Sequence, residues 1–260
     1  MIIGISGKMQ SGKDTVGKII QYLTDIKSLG FTFNPSEQDY SRYIINKHNL
    51  HANWKIKRYG DKLKQIISLL TGIPVEDLEK IEVKNRVLGK EWDYQNLKHI
   101  SSIPVANANQ YNNIKNSKLT PRKLLQLIGT ECGRNIIHPN IWVNALFSDY
   151  IGKDYSACKC GYINENCTCE DTTIYPNWII TDVRFPNELD AIEDREGFVI
   201  RVNSNFIDHK NQIARVEFDN THKSETALDD HNFDDYIDNN GTIEELIKQV
   251  KEILIKHKLL

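Results

Sequence analysis

The chain has 260 residues, 40% hydrophobic and 26% charged, and 33 basic against 35 acidic side chains leave a formal net charge of -2. That length can bury one sizeable core, and one large domain with excursions is expected rather than two small ones. Near-neutral charge excludes a global attraction to nucleic acid or to an anionic membrane surface. No run of about 18 apolar residues is present, and Met1 to Gly7 passes from an apolar run directly into a glycine loop, so a soluble, cytoplasmic protein is expected.

Ile2, Ile3 and Ile5 read as a buried strand, and Val16, Ile19, Ile20 and Leu23 recur at helical spacing behind it. Residues 30 to 55 are polar and aperiodic and read as a loop. Ile56 to Tyr59 is the next strand, and Gly60-Asp61 opens a helix with Leu63, Ile66, Ile67 and Leu70 on one face, ended by Gly72 and Pro74. Val75 to Trp92 is a charged surface helix, and Asn107 to Ser117 is an Asn-rich loop.

Thr120 caps a helix with Pro121 at its first position, which carries Leu124, Leu125, Leu127 and Ile128 and stops at Gly129. Asn140 caps another, bearing Trp142, Val143, Leu146 and Phe147. Residues 61–150 are therefore a helical section between strands. Trp178 to Asp182 is an apolar strand ending in a carboxylate, a short helix carries Leu189 and Ile192, and Phe198 to Val202 is a further strand. Tyr236 and Ile237 form a brief strand, Asn239-Asn240-Gly241 turns, and a Thr242 to Glu245 capping box opens the last helix. Strands alternating with helices predict an α/β fold with a parallel sheet covered by helices on both faces.

The segment Gly7-Lys8-Met9-Gln10-Ser11-Gly12-Lys13-Asp14-Thr15 joins the first strand to the first helix. In such a P-loop, glycines let backbone N-H groups turn around phosphate oxygens, the lysine reaches the β- and γ-phosphates, and the helix presents its positive end. Gly7, Ser11, Gly12 and Lys13 meet those demands. Asp14 departs from the usual hydroxyl, with Thr15 one place later. Either Asp14 binds Mg2+, directly or through water, or Mg2+ rests on the phosphates and Asp182 while Asp14 holds the loop.

Asp182 ends a buried strand at the edge where α/β sheets bind ligands, and Arg184 is two residues on, within reach of a transferred phosphoryl group. Arg122 and Arg134 are twelve residues apart across one helix and its C-terminal turn, where two guanidinium groups can grip a phosphate bidentately. Taken singly, either arginine reads equally well as a solvated charge.

Ser6-Gly7-x4-Gly12-Lys13-Asp14-Thr15 resembles the deoxynucleoside monophosphate kinases of tailed phages and their bacterial relatives. Further segments match in order: Tyr59 to Lys64, Thr120-Pro121-Arg122 through Gln126 and Gly129-Thr130-Glu131 to Arg134 with Trp142, Asp182 to Glu188, His222-x-Ser224-Glu225, and Asn240-Gly241-Thr242. The resemblance implies a P-loop kinase fold in a single domain, and transfer of the ATP γ-phosphoryl to a deoxynucleoside 5'-monophosphate for DNA precursor synthesis. It implies ATP and Mg2+ as cofactors, Asn240 and Gly241 on the ATP side, and Lys64, Gln126, Thr130, Glu131, Trp142, His222 and Glu225 as substrate-binding residues beside the two arginines. It also places a lid-like loop at 203–224, where Asn203 stands in place of the arginine usual in relatives. A homodimer is compatible with all of this.

Cys158, Cys160, Cys167 and Cys169 fall in an insert at 153–176, while Cys132 stands apart. Four thiolates in a hairpin-sized segment suit a structural Zn2+ site, and free or redox-labile cysteines are the alternative. Two other functions stay open at this point. One is a P-loop kinase acting on dephospho-coenzyme A or phosphomevalonate; the other is a non-catalytic nucleotide sensor.

Overall fold

The computed structural model describes residues 1–30, 36–46, 53–93, 118–155, 172–204 and 226–260. The chain divides into two compact units, Met1–Tyr59 with Leu146–Leu260, and Gly60–Ala145.

The first unit is built on a five-stranded parallel sheet. Its strands are β1 (Ile2–Ser6), β2 (Trp54–Lys57), β5 (Asn177–Val183), β6 (Phe198–Asn203) and β7 (Asp235–Asp238), in the order β2-β5-β1-β6-β7. Central β1 is buried at every position, as an interior parallel strand covered on both faces must be. Successive side chains of β1 point to opposite faces. Ile3 and Ile5 join Val16, Ile19, Ile20 and Leu23 of helix α1 (Lys13–Ser28) and Leu246, Val250 and Leu254 of the C-terminal helix, Ile243–Lys256, in one core cluster. Gly4 faces the other way, and a Cβ there would press on Ile192 of the helix Pro186–Glu193 and on Val199 and Val183.

Residues 30 to 55, expected as a loop, contain helix α2 (Glu37–Asn46). It has no aliphatic stripe to announce it. Tyr40 and Tyr43 carry its burial, packing against Tyr22 of α1 with ring centroids 5.5 and 5.2 Å away, and the Tyr43 hydroxyl donates to Asp25 at 2.6 Å. A two-stranded antiparallel sheet, β3 (Lys153–Tyr155) with β4 (Thr172–Ile174), was likewise not expected. These strands flank residues 156–171 in sequence, and the four clustered cysteines lie outside the described residues.

In the second unit, α3 (Gly60–Thr71) has the expected bounds, but only Ile67 of its apolar residues is fully buried. Val75 to Trp92 is not one surface helix. It breaks into 3-10 turns at Asp77–Glu79 and Lys90–Trp92 around a short helix α4 (Ile81–Asn85), because Leu78 is drawn into a core with Ile67, Ile73, Leu119 and Leu124. Helix α5 (Pro121–Gln126) starts as expected, the Thr120 hydroxyl accepting from the Lys123 N-H at 3.2 Å with Pro121 in the first turn.

Gly129 does not end α5. The chain continues as a π-helix over Leu127–Ile137, with Gly129 buried against Leu63 and its carbonyl accepting the Trp142 indole N-H at 2.7 Å. Its missing side chain serves a close approach instead of a stop. Helix α6 (Ile141–Phe147) follows Asn140. Pro186–Glu193 and Ile243–Lys256 are α7 and α8, and the Thr242 to Glu245 capping box is formed in both directions. Asn107 to Ser117 and the greater part of the lid-like loop lie outside the described residues.

Candidate active site

The phosphate loop leaves β1 at Ser6 and enters α1 at Lys13. Its path depends on two glycines. Gly12 has φ +94, and a side chain there would collide with Asn239; a Cβ on Gly7 would come within 2.6 Å of both the Ser11 hydroxyl and the Val202 carbonyl. Gln10 also takes a positive φ of 64, so the loop curls tightly enough for Lys13 to fold back over it. The Lys13 ammonium donates to the carbonyls of Gly7 at 2.7 Å and Lys8 at 2.6 Å. The buried Ser11 hydroxyl has no hydrogen-bond partner among the described residues. Thr15 is half-buried in the first turn of α1.

Burial, then the charge of Arg184, lowers the Lys13 pKa to about 7, with Arg201 adding to the effect while Asp14 and Asp182 oppose it. All four charged groups therefore share one electrostatic neighbourhood with the loop lysine. Asp182 accepts the Tyr59 N-H at 2.8 Å, which ties the end of β5 to the end of β2. Arg184 lies in the turn before α7. Buried Glu188 fixes that turn, its carboxylate accepting from the N-H groups of Arg184 at 2.8 Å and Phe185 at 3.1 Å, so it does more than complement a helix dipole. Tyr59 closes the arrangement by donating its hydroxyl to the Glu188 carbonyl at 2.7 Å.

Asp14 accepts two hydrogen bonds on one oxygen, from Arg58 and from the Thr181 hydroxyl, each at 2.9 Å. Burial acts to raise its pKa, but Arg58, Thr181 and Lys13 together outweigh that and hold it below the usual carboxylate value. Arg58 escaped the sequence reading although it directly precedes the Tyr59 to Lys64 segment. So did Asn239, neighbour of the expected Asn240 and Gly241. Asn239 donates its side-chain amide to the Ser11 carbonyl at 2.9 Å and its backbone N-H to Asn203, bracing the loop from the β7 side.

A further group borders the loop at β6. Arg201 donates to Ser6 at 3.1 Å and to Asp229 at 3.2 Å, and Asp229 also pairs with Lys8. A cavity of about 190 Å³ lined by Phe198, Val199, His231 and Asp234 opens at the opposite, amino-terminal end of β6 and takes no part in this site.

The second unit carries the expected acceptor residues. Arg122 donates from Nε to Asn85 at 2.7 Å, and burial lowers its pKa from the ordinary guanidinium value. Lys64 pairs with Glu79 at 2.6 Å, and Glu131 accepts from Asn135 at 3.3 Å. Gln126, Thr130 and Arg134 are half-buried on the same continuous α5 and π segment. Trp142 is only 5% exposed, with its N-H committed to Gly129. His222 and Glu225 lie outside the described residues.

A parallel sheet whose central strand runs into a glycine loop, with a lysine at the helix start and a carboxylate ending the adjacent strand, defines a P-loop phosphotransferase. The family model described as deoxynucleotide monophosphate kinase matches residues 1–250, and the chain belongs to that family. It is 26% identical over 204 residues to the deoxynucleoside-5'-monophosphate kinase of Escherichia phage T5, covering 75% of this chain and 72% of that protein. It is 29% identical over 142 residues to a putative deoxynucleotide monophosphate kinase of Acanthamoeba polyphaga mimivirus, covering 50% of this chain and 59% of that protein. The enzyme is thus a kinase that phosphorylates deoxynucleoside monophosphates. No helix among the described residues is long and apolar enough to cross a membrane.

Proposed function

We propose that the enzyme transfers the ATP γ-phosphoryl group to deoxynucleoside 5'-monophosphates for DNA precursor synthesis, in a bacterial or phage-infected cytoplasm, with the first unit holding the donor. The carrying observation is Lys13, buried in the loop with Asp182 and Arg184 close enough to shift its titration. Phosphoryl transfer needs positioning and cations more than a covalent nucleophile. Lys13 holds the β- and γ-phosphates, the loop amides from Gly7 to Thr15 surround them, and Arg184 meets the transferred group. Asn240 and Gly241, beside the bracing Asn239, complete the ATP side.

Mg2+ fits this donor set. Asp182 supplies a hard carboxylate oxygen beside Lys13, with Asp14 either a second ligand or the holder of the loop, and Mg2+ is commonly held by one or two carboxylates plus phosphates and water. When bound, it neutralises charge on the β- and γ-oxygens. The protein's own part is to keep Asp182 in place through the Tyr59 N-H and to present Lys13 protonated to the phosphates.

Arg122 and Arg134 grip the acceptor phosphate in this reading, with Lys64, Gln126, Thr130, Glu131, Trp142, His222 and Glu225 around the acceptor. Committed to Gly129, Trp142 would serve by shaping the π segment that carries Thr130, Glu131 and Arg134. Its partners are ATP and a deoxynucleoside monophosphate, with neither nucleic acid nor membrane, and a homodimer is the self-association to test. Cys158, Cys160, Cys167 and Cys169 are proposed to hold a structural Zn2+, which metal analysis of protein purified without added zinc would decide.

The deciding experiment is an acceptor screen of the four deoxynucleoside monophosphates and their ribose counterparts with ATP and Mg2+. ADP release that rises on adding at least one deoxynucleotide, and that Lys13→Ala abolishes in a folded protein, is the expected result. Near wild-type turnover by Lys13→Ala would end the donor-site reading.

A further inference from the structure

The residue after the loop lysine poses the sharpest question in the first unit. A hydroxyl in that place would offer a metal ligand but no charge, whereas Asp14 carries a full negative charge at the start of α1. That charge is already committed. One oxygen of Asp14 accepts both the Arg58 guanidinium and the Thr181 hydroxyl at 2.9 Å, and the two donors come from different strands. Arg58 directly follows β2, and Thr181 belongs to β5, one residue before Asp182.

The next residue of each strand repeats the connection. Tyr59, after Arg58, donates its N-H to Asp182, after Thr181. Two consecutive positions of the β2 end are therefore anchored at the carboxyl edge of the sheet, one to the phosphate loop's helix and one to the catalytic-edge carboxylate. Thr181 is 2% exposed, so its hydroxyl has little freedom to leave Asp14, while the Arg58 side chain remains 31% exposed. An exposed ion pair taken alone would contribute little to stability. This one instead fixes a guanidinium on Asp14, the residue that follows the loop lysine and whose charge acts on Lys13.

We propose that Arg58 is a further cation of the donor-phosphate site, that Asp14 is the positioning residue that holds it there, and that Asp14 is not a direct Mg2+ ligand. This rests on the donor-site reading above. Arg58 then acts on the phosphoryl group in flight, and Asp14 and Thr181 act through Arg58. A Ser or Thr at position 14 could not replace Asp14, because a neutral hydroxyl would not hold the guanidinium.

The test is a double-mutant cycle on Asp14→Asn and Arg58→Met, with Arg58→Lys and Thr181→Val as milder variants, each checked for a wild-type thermal transition. Steady-state kinetics give kcat and both KM values. Calorimetric titration with ATP, with and without Mg2+, gives a readout independent of turnover. Arg58→Met is expected to lower kcat by about 100-fold with the acceptor KM unchanged, about an order of magnitude below the smallest effects seen for arginines at transferring phosphoryl groups. Asp14→Asn should fall to a similar level, the double variant should be no worse than the poorer single, and Thr181→Val should lose about 3-fold. Arg58→Lys should recover part of the rate, and the enhancement of ATP affinity by Mg2+ should stay within about 2-fold of wild type throughout.

Multiplying losses in the double variant would overturn the coupling. A drop of about 10-fold or more in that Mg2+ enhancement for Asp14→Asn, with none for Arg58→Met, would make Asp14 a metal ligand and overturn the proposal. Wild-type kcat in Arg58→Met would overturn it as well. Lys13→Ala in the same series keeps the two readings apart: if it retains turnover the donor site itself is misplaced, whereas loss in Lys13→Ala with wild-type Arg58→Met refutes only this inference.

Discussion

Lys13 offers a prediction that can be worked to a number. Burial, followed by the charge of Arg184, lowers its pKa from 10.5 to about 7, so at pH 8 about 0.9 of the molecules carry it neutral before nucleotide binds. Phosphate oxygens against the same nitrogen restore the charged form. Binding of MgATP at pH 8 should therefore take up about 0.9 proton, and at pH 6 only about 0.1. Calorimetry in buffers of different ionisation enthalpy measures this directly, and MgATP is already fully deprotonated at pH 8, so the ligand contributes no proton of its own. The sign also fixes a stability trend. Between about pH 7 and 10.5 the unfolded lysine holds the proton that the folded one has lost, so Lys13 makes the protein more stable as pH rises through that window. Lys13→Met should remove that slope. Uptake below about 0.2 proton at pH 8 would refute the reasoning, since it would mean that the buried lysine is already charged.

Other expectations follow from single contacts. Gly12→Ala forces a side chain into the left-handed region and against Asn239, and should cost about 2 kcal/mol in urea unfolding as well as ATP binding. Asn239→Ala, which frees the Ser11 carbonyl, should raise the ATP KM by about 10-fold, close to the value of one charge-free hydrogen bond, while leaving the acceptor KM unchanged. Trp142→Phe removes the N-H held by Gly129 and should lower stability by about 1 kcal/mol without altering calorimetric ATP affinity.

Asp235 is buried between Lys256 and His257. Burial works to raise its pKa, but the hydrogen bonds from those two partners prevail and leave it below 3.8. Its contribution should therefore be complete above about pH 4 and vanish as pH falls through the lower folded value. Asp235→Asn should flatten that acid limb, read from urea midpoints between pH 3 and 5.

The features legible in sequence were those with a local chemical cause. The glycine loop, the Thr120 and Pro121 helix start, the Thr242 to Glu245 capping box and the strand that carries Asp182 near its carboxyl end each depend on neighbours a few residues away. What escaped depends on distant partners. Helix α2 is held by two tyrosines and a hydrogen bond to Asp25, which no periodicity announces. Gly129 reads as a stop until Leu63 and Trp142 are seen against it. Arg58 and Asn239 each stand one residue from a segment singled out for the site, yet their partners Asp14 and Ser11 are 44 and 228 positions away. The same limit applied to Asp14, whose engagement by two strands only the fold brings into view.

The brace from Asn239 to Ser11 also sets a timetable. Translation at about 5 to 20 residues per second separates the phosphate loop from its brace by roughly 10 to 45 s. The neighbours of central β1 come late as well, Met1 meeting Asn177 across 176 positions. For most of that interval the loop residues have neither flanking strand nor brace to shape them. A nascent chain therefore cannot sequester cellular ATP early and use it to template its own folding; the nucleotide finds a site only once nearly the whole chain has been made.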